Sequence, residues 1–443
     1  MGNGITKKAL GVSALAFTLT GCLSDMGAGI GAGTSDFVAR LKTPDATAVA
    51  KPTHAEKINS ESEIIQGLTR RKSVLPSGSS FEKVGASVLA ANSRTAEAEL
   101  RSARLRSEAA SKNWLPKIGP QISLSSLGSL VANLVVDQVL FDNGGKKGER
   151  EFAVADVEVA AVSLAQDTND RVHTALDLYV TGAEAREKSV LSQATLKDMS
   201  HFEWVMSERV RGGVSDRSDL NILRQKLAEI KADRARNVEL ERTSVAELNA
   251  MSIKPLGDLH GVPNFRVPPS SAQPLSVTLA EAEKTRAIAQ AKVERAGQLP
   301  GLSAGGTVGD KNNLGLSVSS NTLIGFGTGA SLRAIEAAKE AAGRRVAQAH
   351  EDANRQLSKL ESQIAAKSRQ AAEARGITGQ AKANLDVFQR QYDAGQRQVM
   401  DVVGVYETFA RQQQSEVTLK YDVIRLRLEM ARILGVLADG TEI

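Results

Sequence analysis

The sequence predicts a mainly α-helical protein with a small β part, organised as two structural repeats of a strand hairpin followed by long antiparallel helices. The repeat itself is the first observation. The segment 209–253 (RVRGGVSDRSDLNILRQKLAEIKADRARNVELERTSVAELNAMSI) returns near the end of the chain in 388–437. Gly213 pairs with Gly395, Asp219 with Asp401, Ala228 with Ala410 and Glu247 with Glu429, at one constant offset, and such self-similarity outranks any local motif. The second observation is a pair of proline-free runs, one near 147–210 and one of similar length ending near 391. Each would span roughly 95 Å as an unbroken helix. The third is strict apolar/polar alternation ahead of each run, the signature of strands with one apolar face.

Bulk composition narrows the function. With 24% charged and 42% hydrophobic residues the chain is of folded type, while 4% aromatic residues argue against several compact aromatic-centred cores. The net charge of +5 is spread among interspersed Lys, Arg, Glu and Asp, so there is no nucleic-acid footprint. One cysteine, Cys22, excludes an intrachain disulfide and the usual cysteine metal sites. The five histidines are scattered, and no nucleophile elbow or phosphate loop is present; no enzyme, metal or cofactor is indicated. The glycine-rich runs 29–33 and 325–329 precede no nucleotide motif and read as turns or linker.

Residues 1–21 read as an export signal: Lys7 and Lys8, an apolar stretch 9–19, then Leu19-Thr20-Gly21-Cys22. The stretch is shorter than the roughly 20 residues that cross a bilayer. Leu-Thr-Gly-Cys resembles the lipobox of bacterial lipoproteins, which implies acylation of Cys22. Leu23 in place of aspartate implies sorting to the outer membrane, with acyl chains as the anchor. Residues 22–81, rich in Gly, Ala, Ser, Thr and Pro, read as a largely irregular extension with room for one short helix near 61–68.

The first repeat covers 82–254. A helix near 82–114 stops at Pro116, and strands follow at about 118–141. There Ile118, Ile122, Leu124, Leu130, Leu134 and Val136 alternate with polar or small residues such as Gln121, Asn133 and Asp137. The long helix then ends at a tip near 211–216, and a second helix returns to about 253. Residues 255–275, with five prolines, form a linker. The second repeat, 276–438, has the same order, with strands at about 301–324 and a tip at about 393–398; 439–443 is a tail. In the last helix, Val417, Tyr421, Ile424, Leu428 and Ala431 form one apolar stripe. Leu419, Val423, Leu426, Met430, Ile433 and Leu437 form another, so this helix needs neighbours on both sides.

Four strands with one apolar and one polar face cannot close a barrel alone, and open edges are not tolerated in lipid. Sharing strands among copies, apolar face to lipid and polar face to a wet lumen, solves this. The whole order resembles the TolC family of outer-membrane efflux and secretion channels, most specifically in Tyr392-Asp-Ala-Gly395-Gln-Arg397 through Asp401 and in 426–437. The resemblance implies a homotrimer with a 12-stranded barrel in outer-membrane lipid, continued by an α-helical barrel across the periplasm. It implies as partners a periplasmic adaptor and an inner-membrane pump of the RND or ABC type, with tripartite efflux ahead of type I protein secretion.

By position, Tyr392 and Arg397 resemble the family's gate tyrosine and arginine, and Ser218 and Asp219 their partners on the other hairpin. Asp401 resembles a pore-narrowing aspartate, although the second aspartate of that ring is Gly404 here. The tips, Gly212, Gly213, Val214 and Ser215 with Ala394, Gly395 and Gln396, would meet the adaptor. Ordinary helix capping also accounts for these residues, with Asp216 or Ser215 as N-cap and Gly213 and Gly395 ending helices. Other classes stay open: a periplasmic adaptor lipoprotein, which would carry one hairpin, or a soluble periplasmic helical scaffold, which would need no alternating strands.

Overall fold

The computed structural model describes residues 54–91, 95–126, 129–268, 272–308, 313–319 and 325–442, all within the unit Thr53–Ile443. The expected signal, Cys22 and the extension up to residue 53 lie outside them. So do Leu127 and Gly128 in the expected first turn, and 320–324 at the end of the expected last strand.

The described chain begins with α1 (His54–Glu61), α2 (Glu63–Thr69), α3 (Ser80–Ala90) and α4 (Thr95–Ser111). Two expectations are corrected here. The extension is helical over His54–Glu61 and Glu63–Thr69 and only 70–79 lacks helix or strand: Ile58, Ile65 and Leu68 are buried with Val157, Ala161 and Leu164 of the first long helix. This tertiary contact overrides a loop-like composition. Ser62 starts α2, its Oγ accepting from the Ile65 amide at 3.2 Å and donating to Glu158 Oε1 at 2.6 Å. The single helix expected near 82–114 is two, because its halves serve different cores. Phe81, Val84 and Val88 of α3 join one cluster, Leu100 and Ala103 of α4 another.

Then come β1 (Lys117–Ser126), β2 (Ser129–Phe141), α5 (Gly145–Arg211) and α6 (Arg217–Ala250). The second half repeats them as α7 (Leu275–Gly297), β3 (Gly301–Val308), β4 (Asn313–Ser319), α8 (Thr328–Asp393) and α9 (Val399–Leu434). The long helices α5 and α8 have 67 and 66 residues, about 100 Å each at 1.5 Å per residue. The strands form one antiparallel sheet in the order β1-β2-β3-β4. Asp142 caps the start of α5, its carboxylate accepting from the amides of Gly144 and Lys146.

Below the sheet the long helices pack side by side in the order α6, α5, α9, α8, with α7 against α5 and α8. The two stripes of α9 are thereby used. Tyr421, Ile424 and Leu428 are buried on one side, Val423 and Met430 on the other. Three apolar clusters follow one another along this body. One joins α1, α2 and α4 to the upper part of α5; one gathers α3, the linker and the end of α9 around the middle of α5; one lies at the hairpin tips. The linker is packed: Phe265 lies edge-on to Phe81 at 5.8 Å, and Tyr179 donates to the Gly261 carbonyl at 2.8 Å.

The two ends of the described chain are clasped. The Val74 amide donates to the Val436 carbonyl at 2.9 Å, Ser73 Oγ to Leu437 at 2.9 Å, and the Gly440 amide to Arg71 at 2.9 Å. Arg71 Nη1 donates to the Leu434 carbonyl at 2.6 Å and Nη2 to Gln273 at 3.0 Å. A cation at the carbonyl end of α9 also complements the helix dipole.

Candidate functional site

Residues paired across an antiparallel ladder share a face of the sheet. On one face Ile118 meets Val136, Pro120 meets Leu134, Leu302 meets Val318 and Ala304 meets Leu316. Across the central pair, Leu134 meets Val308, so this apolar face runs through all four strands. It is uncovered: Leu314, Leu316 and Val318 are 87%, 72% and 73% exposed. On the other face Lys117 meets Asp137, Gln121 meets Asn133, Ser303 meets Ser317 and Thr307 meets Asn313. Ser303 and Ser317 share a hydrogen bond of 2.7 Å. Among the described residues the outer edges of β1 and β4 have no strand beside them. Where the strands join the helices, Trp114, Phe141 and Phe326 are all exposed.

At the opposite end of the helices are two turns built alike. Gly213 and Gly395 both have φ +74°, a conformation that glycine adopts without a Cβ penalty. The Val214 amide donates to Arg209 at 2.8 Å and the Gly213 amide to Val210 at 3.1 Å; Gln396 to Gln391 and Gly395 to Tyr392, both at 2.8 Å, repeat the pattern. These are two Schellman endings. Even the side chains correspond. Arg209 Nε donates to Ser215 Oγ across the first turn, and at the equivalent positions Arg397 Nε donates to Gln391 Oε1, both at 3.1 Å. The following helix starts differ. Asp216 occupies the N-cap position of α6 with no side-chain capping bond, whereas Gln398 and Asp401 form a reciprocal capping box at the start of α9.

The residues singled out by sequence therefore divide. Tyr392 packs edge-on to Phe202 at 6.3 Å, against the apolar tip cluster. Arg397 lies 4.6 Å from the Phe388 ring centroid, a cation–π contact, besides bracing its own turn. Asp401 is exposed, and its carboxylate accepts from the Gln398 amide at 3.3 Å. Ser218 is exposed and Asp219 half-buried in the first turn of α6. Within one chain the Arg397 guanidinium turns onto Gln391 and Phe388. Val214, Gly212, Gly213, Ala394, Gly395 and Gln396 are exposed and Ser215 half-buried.

This geometry has known counterparts. Residues 271–436 match the family described as outer membrane efflux protein. The fold is shared with VceC, an outer membrane protein of Vibrio cholerae (15% identity, TM-score 0.69, covering 80% of this chain and 96% of that one). The CmeC outer membrane channel of Campylobacter jejuni is similar over 82% of this chain and 87% of its own (12% identity, TM-score 0.67). So is the open-state MtrE outer membrane channel of Neisseria gonorrhoeae, over 84% and 95% (15% identity, TM-score 0.67). No curated protein is similar enough in sequence to stand beside these structures.

In this fold the two hairpins are tied to each other by polar contacts that sequence reading does not find. Tyr406 OH donates to Asp198 Oδ2 at 2.5 Å, and Lys226 Nζ to both oxygens of Glu407 at 2.5 Å. Further up, Gln414 donates to Ser192 at 3.2 Å, Tyr421 to Glu187 at 2.8 Å and Arg425 to Glu184 at 2.6 Å. Burial, and then the neighbouring carboxylates, push the Tyr406 and Tyr421 phenols well above their ordinary range, so both remain donors at physiological pH. A cleft of about 650 Å³ opens between α5, α6 and α9, lined by Lys226, Glu407, Arg236 and Arg411 among others. No sequence signal could have paired residues such as Asp198 and Tyr406, which are 208 positions apart.

Proposed function

We propose that the chain is one copy of a homotrimeric outer-membrane exit duct. Four strands from each copy would close a 12-stranded barrel in lipid, and the helices would line a tunnel through the periplasm. The observation that carries this is the sheet: a continuous apolar face, a polar face and two unpaired edges, at one end of helices about 100 Å long. Among the described residues no helix is long and apolar enough to cross a membrane. Edge pairing between copies satisfies the backbone of β1 and β4 that lipid would otherwise leave bare. The flanking helices α6 and α8 would meet those of the next copies.

On this reading Cys22 carries the acyl anchor. The tips receive a periplasmic adaptor coupled to an RND or ABC pump, with efflux of small molecules favoured over protein secretion. Arg397 and Asp219 latch between copies, Arg397 leaving Gln391 to do so, with Tyr392 and Ser218 beside them and Asp401 facing the narrowed pore. Charge-assisted bonds of this kind are directional and break when a partner competes. The test is conductance of detergent-purified protein in planar bilayers. Wild type gives small, stable steps, and Arg397→Ala or Asp219→Ala raises them. Absence of any conductance refutes the duct, and unchanged conductance in both variants refutes the latch.

A further inference from the structure

Lys117 and Asp137 are the only ionisable residues in the four described strands, and they are direct partners across the β1–β2 ladder. Both are exposed. They stand on the polar face, in a row that continues through Gly305 and Gly315. Residues directly opposite one another have Cβ atoms about 4.5–5.5 Å apart, well inside the screening length of about 8 Å at physiological salt. Seen from farther off, one positive and one negative charge at that spacing cancel. The neighbouring rows of the same face hold Val135, Thr307 and Asn313 on one side and Val139, Ser303 and Ser317 on the other, and bring no charge. Nor does a tall side chain follow in the row of the pair. A Cβ on Gly315 would meet no atom within 4 Å, and one on Gly305 would come no closer than 3.8 Å, to the Val136 carbonyl oxygen. Neither glycine has a positive φ, so neither space nor backbone geometry calls for a residue that weakens a strand.

Pores that select by charge carry rings of like-charged side chains. Here one chain places a cation and an anion in the same row of the sheet. Resting on the reading of the chain as one copy of a duct with this face turned to the lumen, we propose that Lys117 and Asp137 set the charge of the outlet and hold it at zero. The strand end then neither retains nor repels ionic solutes, and organic cations and organic anions leave through it alike. Any preference for cations belongs to the opposite end, where Asp401 lies.

Sided block of conductance tests this. Protein added to one compartment of a planar bilayer keeps its helices, about 100 Å long, in that compartment, so the strands open to the other. Spermine (a polyvalent cation) and tripolyphosphate (a polyvalent anion) are added to the strand side of wild type, Lys117→Gln, Asp137→Asn and the double variant. Lys117→Gln leaves Asp137 alone, and spermine should block it at roughly one-tenth of the concentration that blocks wild type. Asp137→Asn should become sensitive to tripolyphosphate by a similar factor. Wild type and the double variant should be blocked alike, because a cancelled pair and no pair look the same to an ion. All four proteins share the same tips, which removes the contribution of that end from the comparison. A wild type blocked about tenfold more readily than the double variant by either probe overturns the cancellation. Single variants that respond as wild type does overturn the role of the pair. Should wild type give no conductance at all, the duct reading fails first and the proposal falls with it.

Discussion

At the scale of single residues, the fold depends on a few groups whose surroundings set both conformation and charge. Arg71 is a cation held by carbonyl oxygens and not by a carboxylate, and burial brings it down to about 10. Arg71→Met should cost about 2 kcal/mol, the range for hydrogen bonds from a charged donor, and appear as a lower unfolding midpoint with faster proteolysis near residues 70–75. Gly395 and Gly435 both have positive φ, but a Cβ at Gly395 meets open space while one at Gly435 meets Leu275 at 2.5 Å and Arg71 at 2.7 Å. Gly395→Ala should therefore cost only the backbone term of about 1–2 kcal/mol. Gly435→Ala should lower the midpoint further. His173 sits 3.4 Å from Glu429. Burial pushes its pKa below the ordinary 6.5, so the folded state favours the neutral ring. That contribution is complete above the ordinary value and shrinks as pH falls through it towards the folded value. Glu429, held low by its bond to Arg432, loses its contribution at lower pH still. The unfolding midpoint should fall on acidification from neutrality, and His173→Gln should flatten the first part of that fall.

At the scale of elements, the strands test the reading most directly. Leu316 lies on the apolar face and Ser317 on the polar one. Leu316→Lys should oppose membrane insertion by about 2–4 kcal/mol if it lies near mid-bilayer, while Ser317→Lys should insert normally. Flotation with lipid vesicles separates the two outcomes, and equal behaviour would mean that the faces are misassigned. What was legible here follows from how local each signal is. Alternation in 302–308 and 314–318 is visible because each strand buries or exposes one face throughout. The ends of α5 and α8 are visible because a positive φ selects glycine at 213 and 395. The start of α9 is less so, since Gln398 caps it where Asp, Asn, Ser or Thr leads. The helices within 54–69 and the end of α3 at Ala90 depend on burial against α5, a partner far away in sequence. The same distance hid Asp198–Tyr406 and the turn-bracing role of Arg397, whose charge alone suggested a partner on the other hairpin.

At the scale of the whole molecule, α5 is the common partner. It touches α3 and α4, α6, α7 and α9, so both repeats are organised around one helix although their sequences mirror each other. The repeat is thus symmetric in its turns and asymmetric in its burial: α8, the counterpart of α5, lies at a flank with far fewer buried positions. Two helical hairpins and two strand pairs also weigh against the single-hairpin adaptor architecture. The clasp between Arg71–Val74 and Leu434–Gly440 has a consequence for biosynthesis. Arg71 and its acceptor Leu434 are 363 positions apart, and contacts of such long range form late. A chain emerging amino-end first exposes this arm long before its docking groove exists. The amino-terminal helices can settle on α5 early, but the segment 71–74 between them must wait, loosely held, until the final turns of α9 arrive to seat it.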